Sequence, residues 1–294
     1  MSSTRPRALL RAMPWVFVLI WSTGFVVARL GMPHSPPLTF LALRYAFSVL
    51  CFVAWIALSG AVWPGERVQW AHLAVTGLLI QAGYLGGVWS AVKAGIGAGT
   101  VALLVGLQPV LTAIWMTVFA APQTGRARVS PAQWLGLALG LVGLTLVVWG
   151  KVGGGEVTPW NLGLALFALL SITTGTLYQK RFVAPCDVRT AGAIQLLAAL
   201  AVSLPLALLE REAVVWVPPM LLAMAWSVLV LTLGGSSLFY LLIQRGAATR
   251  VTSLMYLVPP CTALLAWLLF GESFTGIMLA GMLLSVAGVA LVVR

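Results

Sequence analysis

Residues 68–92 read VQWAHLAVTGLLIQAGYLGGVWSAV, a stretch of 25 residues without a single Asp, Glu, Lys or Arg. A helix needs about 20 mostly apolar residues to cross the roughly 30 Å hydrocarbon core of a bilayer. The stretch is therefore long enough to span a membrane. Its continuous apolar character also differs from the alternating pattern of a membrane β-barrel strand. We predict a membrane-spanning helix over about residues 70–92.

Charge-free runs of this kind fill the rest of the chain. Hydrophobic residues make up 61% of the 294 residues and charged residues 8%. An ordinary globular domain has roughly 25% charged residues, so a soluble fold is excluded. The runs predict helices over about residues 15–30, 37–58, 70–92, 98–119, 131–149, 160–179, 190–208, 219–242, 248–270 and 276–293. The predicted fold is an all-α integral membrane protein with ten transmembrane helices.

The basic residues predict the orientation in the membrane. If the N-terminus is cytoplasmic, twelve of the 17 Lys and Arg residues lie in cytoplasmic segments and four in outer segments, with Arg44 left inside the membrane. Cytoplasmic loops carry the excess of Lys and Arg, so we predict a multi-pass membrane protein with both termini cytoplasmic. The net charge of +11 then belongs to loops beside membrane lipid, and no nucleic-acid partner is expected.

The second half of the sequence repeats the first. A shift of 151 residues pairs small or helix-breaking residues of the two halves, Gly83 with Gly234, Gly95 with Gly246 and Pro109 with Pro260. We predict two repeats, residues 1–150 with helices 1–5 and residues 151–294 with helices 6–10. Because five is odd, the second repeat must enter the membrane from the opposite side. The repeats would then be inverted, an arrangement typical of secondary transporters.

Groups that could perform catalysis are scarce in the predicted helices. All the carboxylates lie in loops or at helix ends: Glu66, Glu156, Asp187, Glu210, Glu212 and Glu272. The two histidines, His34 and His72, are far apart, and neither a metal-ligand cluster nor a Ser/His/Asp set is present. We therefore expect no enzyme activity, no catalytic residue, no metal and no cofactor.

Polar and aromatic residues concentrate at mid-depth in helices 1, 3, 4, 6, 8 and 9. A polar group at this depth is costly unless it is paired or faces water, so these helices are expected to surround a central cavity. The predicted substrate-binding residues are Trp21, Tyr84, Gln108, Tyr178, Tyr240 and Tyr256. Aromatic rings can hold an apolar side chain and attract an ammonium group, and Gln108 could hydrogen-bond a carboxylate. Each ring could instead simply fill the core of the bundle.

Arg44 is the single charged residue set well inside a predicted helix, about 10 Å from its start at 1.5 Å per residue. Two interpretations stay open. Arg44 could snorkel outward or cap neighbouring carbonyls, or it could anchor a substrate carboxylate. Pro109, Pro259 and Pro260 each remove a helix hydrogen bond, so we predict hinges or kinks there as paired features of the two halves.

Several motifs resemble a known family. Residues 21–25, WSTGF, and residues 43–45, LRY, resemble the opening of EamA-type members of the drug/metabolite transporter superfamily. The pattern over residues 94–109, repeated over residues 246–260, is similar to the paired signature of that family. The resemblance covers the whole chain and is greatest to the YddG-type amino-acid exporters. It implies an inner-membrane transporter with two inverted five-helix repeats and a central cavity.

The function that we expect from the residues and the resemblance together is export of a small molecule. The predicted protein is a secondary transporter that exports amino acids, with apolar or aromatic side chains preferred, or related small metabolites. It would work by alternating access through the central cavity. The alternative is a passive channel or facilitator for small neutral solutes. The lack of an ionisable coupling residue at mid-membrane keeps this alternative open.

Overall fold

The computed structural model describes residues 5–115, 131–152, 155–244, 257–272 and 276–293. Within these ranges the chain is helical apart from short connections. The helices are α1 (Arg5–Gly31), α2 (Pro37–Ser59), α3 (Arg67–Lys93), α4a (Ala98–Val105), α4b (Gln108–Trp115), α5 (Pro131–Val152), α6 (Pro159–Phe182), α7 (Val188–Ala207), α8 (218–244), α9 (Val258–Phe270) and α10 (Gly276–Val293).

Within the described ranges six helices are long and apolar enough to cross a membrane, namely α1, α2, α3, α6, α7 and α8. Shorter apolar segments over residues 98–112, 134–143, 258–270 and 279–288 lie within predicted helices 4, 5, 9 and 10. The main difference from the predicted bounds is at α1. This helix begins at Arg5, so it extends beyond the charge-free run that predicted it.

Helix boundaries follow local sequence chemistry. Pro37, Pro159 and Pro218 lie in the first turns of α2, α6 and α8, where a residue without an N–H breaks no intrahelical hydrogen bond. Gly60 and Gly271 end α2 and α9 in the left-handed conformation, with φ of 61° and 66°.

The helix bounds repeat between the two halves. A shift of 151 residues carries α3 onto residues 218–244, which are the bounds of α8, and carries the start of α2 onto the start of α7. Both α3 and α8 also contain π-helical turns, at Leu78–Leu85 and Ser227–Ser236. The shift places these turns at matching depth. The repeat in the sequence therefore corresponds to a repeat in local structure.

The paired helices α2 and α7 pack against each other in opposite directions. At one end the carboxylate of Glu210, which follows α7, accepts hydrogen bonds from the N–H groups of Leu38 (3.0 Å) and Thr39 (2.7 Å) at the start of α2. At the other end the hydroxyl of Thr190, in the first turn of α7, donates to the carbonyl of Val62, after α2, at 3.2 Å. Equivalent helices that run antiparallel show that the two repeats are inverted.

Glycines allow the closest contacts between helices. A Cβ atom at Gly77 in α3 would lie 2.2 Å from the carbonyl oxygen of Gln195 in α7. A Cβ atom at Gly87 in α3 would lie 2.8 Å from the carbonyl oxygen of Leu164 in α6. In lipid the hydrophobic effect does not drive helices together, so close approach through small residues contributes much of the packing.

The fourth predicted helix is interrupted. Segment α4a ends at Val105 and α4b begins at Gln108, so the break at Gly106 and Leu107 lies just before Pro109. Pro109 has no N–H to donate to the carbonyl of Val105, four residues earlier. In the second repeat, Pro259 and Pro260 lie in the first turn of α9, and the preceding residues 245–256 are outside the described ranges.

A candidate substrate cavity around Arg44

Arg44 in α2 is buried, with 3% of its surface exposed. Its Nε donates a hydrogen bond to Thr232 Oγ1 in α8 at 3.0 Å, and its Cζ lies 5.9 Å from the centre of the Trp89 ring. All six acidic side chains are among the described residues, and none of them is paired with Arg44. A buried cation is normally paired, so an unpaired guanidinium is free to bind an anion.

Aromatic side chains surround this arginine in a cavity between α1, α2, α3 and α8. The lining residues used below are Trp21 and Phe25 from α1, Arg44 from α2, Gln81, Tyr84 and Trp89 from α3, and Leu231 and Ser236 from α8. The rings of Trp21 and Tyr84 are parallel to within 3°, with centroids 6.3 Å apart. The cavity therefore combines one fixed positive charge with flat apolar surfaces.

The two π-helical segments supply several of these groups. Gln81 and Tyr84 lie in the segment of α3, and Thr232 and Ser236 lie in the segment of α8. The hydroxyls of Thr232 and Ser236 each donate to a carbonyl five residues earlier, at 2.8 and 3.4 Å. A π-helical turn changes the direction of side chains along a helix and is frequent at functional sites. Here it directs polar side chains from both repeats toward one cavity.

Two further cavities adjoin the first and share residues with it. The α7 chamber is lined by Gln81, Ser236, Thr232, Gln195, Ser237 and Tyr240, with Phe52 and parts of α7. The α4 chamber is lined by Trp21, Phe25, Val105, Gly106, Gln108 and Pro259, among others. The shared residues place both chambers beside the Arg44 cavity.

Three buried polar atoms at these chambers have no hydrogen-bond partner among the described residues. They are Gln195 Nε2 and Ser237 Oγ in the α7 chamber and Gln108 Oε1 in the α4 chamber. A buried polar group normally has a partner, because leaving it unsatisfied costs about 1–3 kcal/mol. Unpartnered donors and acceptors that face a cavity are suited to a polar ligand.

The predicted site residues fall in different places. Trp21 and Tyr84 line the Arg44 cavity, Tyr240 lines the α7 chamber and Gln108 lines the α4 chamber. Tyr178 lies elsewhere, with its hydroxyl 2.8 Å from His72 Nδ1 near the end of α6. Tyr256 is outside the described residues.

The side-chain atom of Gln108 that has no hydrogen-bond partner among the described residues is its carbonyl oxygen. Its Nε2 donates to Thr176 Oγ1 in α6 at 3.0 Å, which leaves Oε1 without a partner. A carbonyl oxygen accepts hydrogen bonds and repels a carboxylate. In this conformation Gln108 Oε1 can accept a hydrogen bond from an ammonium or hydroxyl group, and a contact of Gln108 with a substrate carboxylate stays a prediction.

The six helices predicted to surround the cavity did not include α2 and α7, which contribute Arg44 and Gln195 to the lining, and three lining residues of α3 and α7 were not predicted. Gln81, Trp89 and Gln195 were not among the predicted site residues, although all three line a cavity. The signal that could have found them was Arg44. A charged residue at mid-membrane requires polar or aromatic neighbours, and those neighbours would mark the site.

Polar contacts between the two repeats join the loops at the end of the bundle predicted to be outside. Lys93 Nζ donates to the carbonyls of Met32 (3.0 Å) and Ser35 (3.3 Å) and pairs with the carboxylate of Glu212. Glu156 accepts a hydrogen bond from the N–H of Gly97, just before α4a, at 2.9 Å, and Glu272 accepts one from the N–H of Ala98, the first residue of α4a, at 3.1 Å. These contacts join loops of the two repeats at this end of the bundle.

Comparison with known proteins gives a consistent set of transporters. The EamA-like transporter family matches residues 12–149 and again residues 159–294. A probable amino-acid metabolite efflux pump of Salmonella typhimurium is 27% identical over 285 residues, which are 92% of this chain and 90% of that protein. The inner membrane transporter YedA of Escherichia coli is 27% identical over 261 residues, which are 88% of this chain and 82% of that protein.

A solved crystal structure matches the fold, with a TM-score of 0.67 over 95% of this chain and 94% of that chain at 21% identity. The predicted all-helical membrane fold built from two repeats is confirmed, as is the resemblance to EamA-type transporters. Because the two family matches together span almost the whole sequence, the chain is a membrane transporter that belongs to the EamA-like transporter family.

Proposed function

We propose that the protein is an inner-membrane secondary transporter that exports amino acids, with apolar or aromatic side chains preferred, or related small metabolites. The observation that carries the proposal is Arg44, a buried guanidinium without an acidic partner at the edge of an aromatic cavity. An amino acid has the complementary groups, since its carboxylate suits Arg44 and its side chain suits the rings of Trp21 and Tyr84.

The names of similar proteins agree with this substrate class. The relative from Salmonella typhimurium is described as a probable amino-acid metabolite efflux pump, and the relative from Escherichia coli as an inner membrane transporter. The inverted repeats support alternating access, because this architecture lets the two halves rock around a site between them. The loop contacts at the predicted outer end fit a state of that cycle in which the site is closed to the outside.

Counterflow in proteoliposomes tests the transport class. A carrier that alternates between two states exchanges labelled for unlabelled substrate faster when substrate is present on both sides, and an open channel does not. Labelled phenylalanine is the first probe, with the other standard amino acids as competitors. We expect stimulation from the opposite side and the strongest competition from apolar and aromatic amino acids. Flux without such stimulation would favour the passive facilitator instead.

Variants test the site within the same assay. Arg44→Gln should weaken binding of phenylalanine about 10-fold to 100-fold, as expected for loss of hydrogen bonds to a charged group. Arg44→Lys, which keeps the positive charge, should weaken phenylalanine binding less than Arg44→Gln does. Tyr84→Ala should impair transport, and Trp160→Ala should not, because the Trp160 side chain is 71% exposed on the outer surface of the bundle. Wild-type transport by a well-folded Tyr84→Ala variant would place the site elsewhere.

A further inference from the structure

Gln195 occupies in the second repeat the position that Arg44 occupies in the first. The shift of 151 residues carries Arg44 in α2 onto Gln195 in α7. The same shift carries Gln81 in α3 onto Thr232 in α8, the residue to which Arg44 donates its hydrogen bond. The polar residues between α2, α3, α7 and α8 therefore form two pairs related by the repeat.

Gln195 presents an unpartnered donor at the chamber next to the arginine. Its side chain is 7% exposed, and its Nε2 has no hydrogen-bond partner in the part of the chain that the structure describes. Thr232 lines the same chamber, and its Oγ1 is 3.0 Å from Arg44 Nε. Ser237 adds a second unpartnered polar atom there. A buried N–H without an acceptor is costly, and an acceptor supplied by a ligand would remove that cost.

We propose that Gln195 is a second anchor for the substrate carboxylate, donating from Nε2 to one oxygen while the Arg44 guanidinium supplies the charge. This inference rests on the proposed function and narrows it. Of the described residues that line the three cavities, Arg44 is the single charged one. A second carboxylate would be buried without a cation, which is strongly unfavourable. The substrate class is therefore amino acids with one carboxylate.

Binding to the purified, detergent-solubilised protein tests the anchor without the complication of membrane permeation. The probes are phenylalanine and phenylalaninamide, which differ at the carboxyl group that Gln195 is proposed to bind. Gln195→Leu should weaken binding of phenylalanine about tenfold or more and leave binding of phenylalaninamide nearly unchanged. The control is Gln179→Leu. Gln179 is equally buried and also has an unpartnered Nε2, but it does not line the three cavities.

Glutamate provides a second and independent readout. Gln195→Lys adds a cation at the anchor, so it should increase the affinity for glutamate relative to phenylalanine by at least about tenfold. The increase should be absent in Gln179→Lys. The Gln195→Lys variant keeps the test valid if Gln195→Leu fails to fold.

Each contrary outcome separates the two proposals. Equal weakening of both probes by Gln195→Leu would make Gln195 a packing residue and overturn the inference. Unchanged phenylalanine binding by Gln195→Leu would also overturn the inference about Gln195. The proposed function would still stand in that case if Arg44→Gln weakens phenylalanine binding. If the wild-type protein does not distinguish phenylalanine from phenylalaninamide, its site does not recognise a carboxylate, and both proposals fall.

Discussion

Replacing Gly77 by alanine should separate α3 from α7. The added Cβ would lie 2.2 Å from the carbonyl oxygen of Gln195, 2.6 Å from its Cα and 2.7 Å from its carbonyl carbon. These are backbone atoms, so no side-chain rotation can relieve the contact. Nonbonded carbon atoms are most favourable about 3.5–4.0 Å apart, so the helices would have to move apart by roughly 1 Å.

The size of the effect follows from two opposing contributions. Overpacking of a close-packed interior costs about 1–3 kcal/mol. Alanine is a better helix former than glycine by up to about 1 kcal/mol, which offsets part of this cost. We expect a net loss of about 2 kcal/mol, which corresponds to a fall in melting temperature of roughly 4–8 °C for a chain of this size.

The matched control is Gly163→Ala. Gly163 is also a helical glycine, in α6, but its added Cβ would meet no atom within 4 Å. This variant should melt at the wild-type temperature or slightly above it. The measurement is thermal unfolding of the detergent-solubilised proteins. Size-exclusion chromatography after heating gives the fraction that remains folded at each temperature. A Gly77→Ala variant as stable as Gly163→Ala would refute the close contact between α3 and α7 and with it the packing around Gln195.

Three further predictions concern the loops. Reporter proteins fused after Arg294 and inserted at Gly155 should lie on opposite sides of the membrane, and finding both on one side would contradict the predicted topology. Lys93→Met removes the cation that joins the loops of the two repeats. In a variant otherwise lacking cysteine, Ser35→Cys should then react several-fold faster with an impermeant maleimide; an unchanged rate would mean that Lys93 does not hold this end closed. Asp187→Ala should lower the melting temperature at pH 7, because Asp187 caps the first turn of α7. A side-chain hydrogen bond from a neighbouring guanidinium holds the pKa of Asp187 below its ordinary value of 3.8. Its contribution is therefore present above that pH and is lost as the pH falls through the lowered pKa, so the difference from wild type should shrink as the pH is lowered below 3.8.

Sequence alone was enough to predict the membrane fold, because a hydrocarbon core leaves few alternatives. Backbone polar groups in lipid must be satisfied within the protein, which only helices and closed β-barrels achieve, and a long unbroken apolar run lacks the alternation of a barrel strand. The register of the repeat was readable for the same reason. Pro109 acts on its own helix and Gly83 permits close approach of a neighbouring helix, and each effect depends on the residue type at a fixed place in its helix, so spacing along the chain carries the information.

The site depended on tertiary structure. Arg44 and Thr232 are 188 residues apart in sequence, and their contact depends on how α2 and α8 cross and on the π-helical turn that directs Thr232. Tyr178 and Tyr84 looked equivalent as mid-helix aromatics, yet one pairs with His72 and the other lines the Arg44 cavity. Sequence spacing determines which residues share a helix face. The rotation and crossing of helices determine which faces meet, and only the folded chain contains that information.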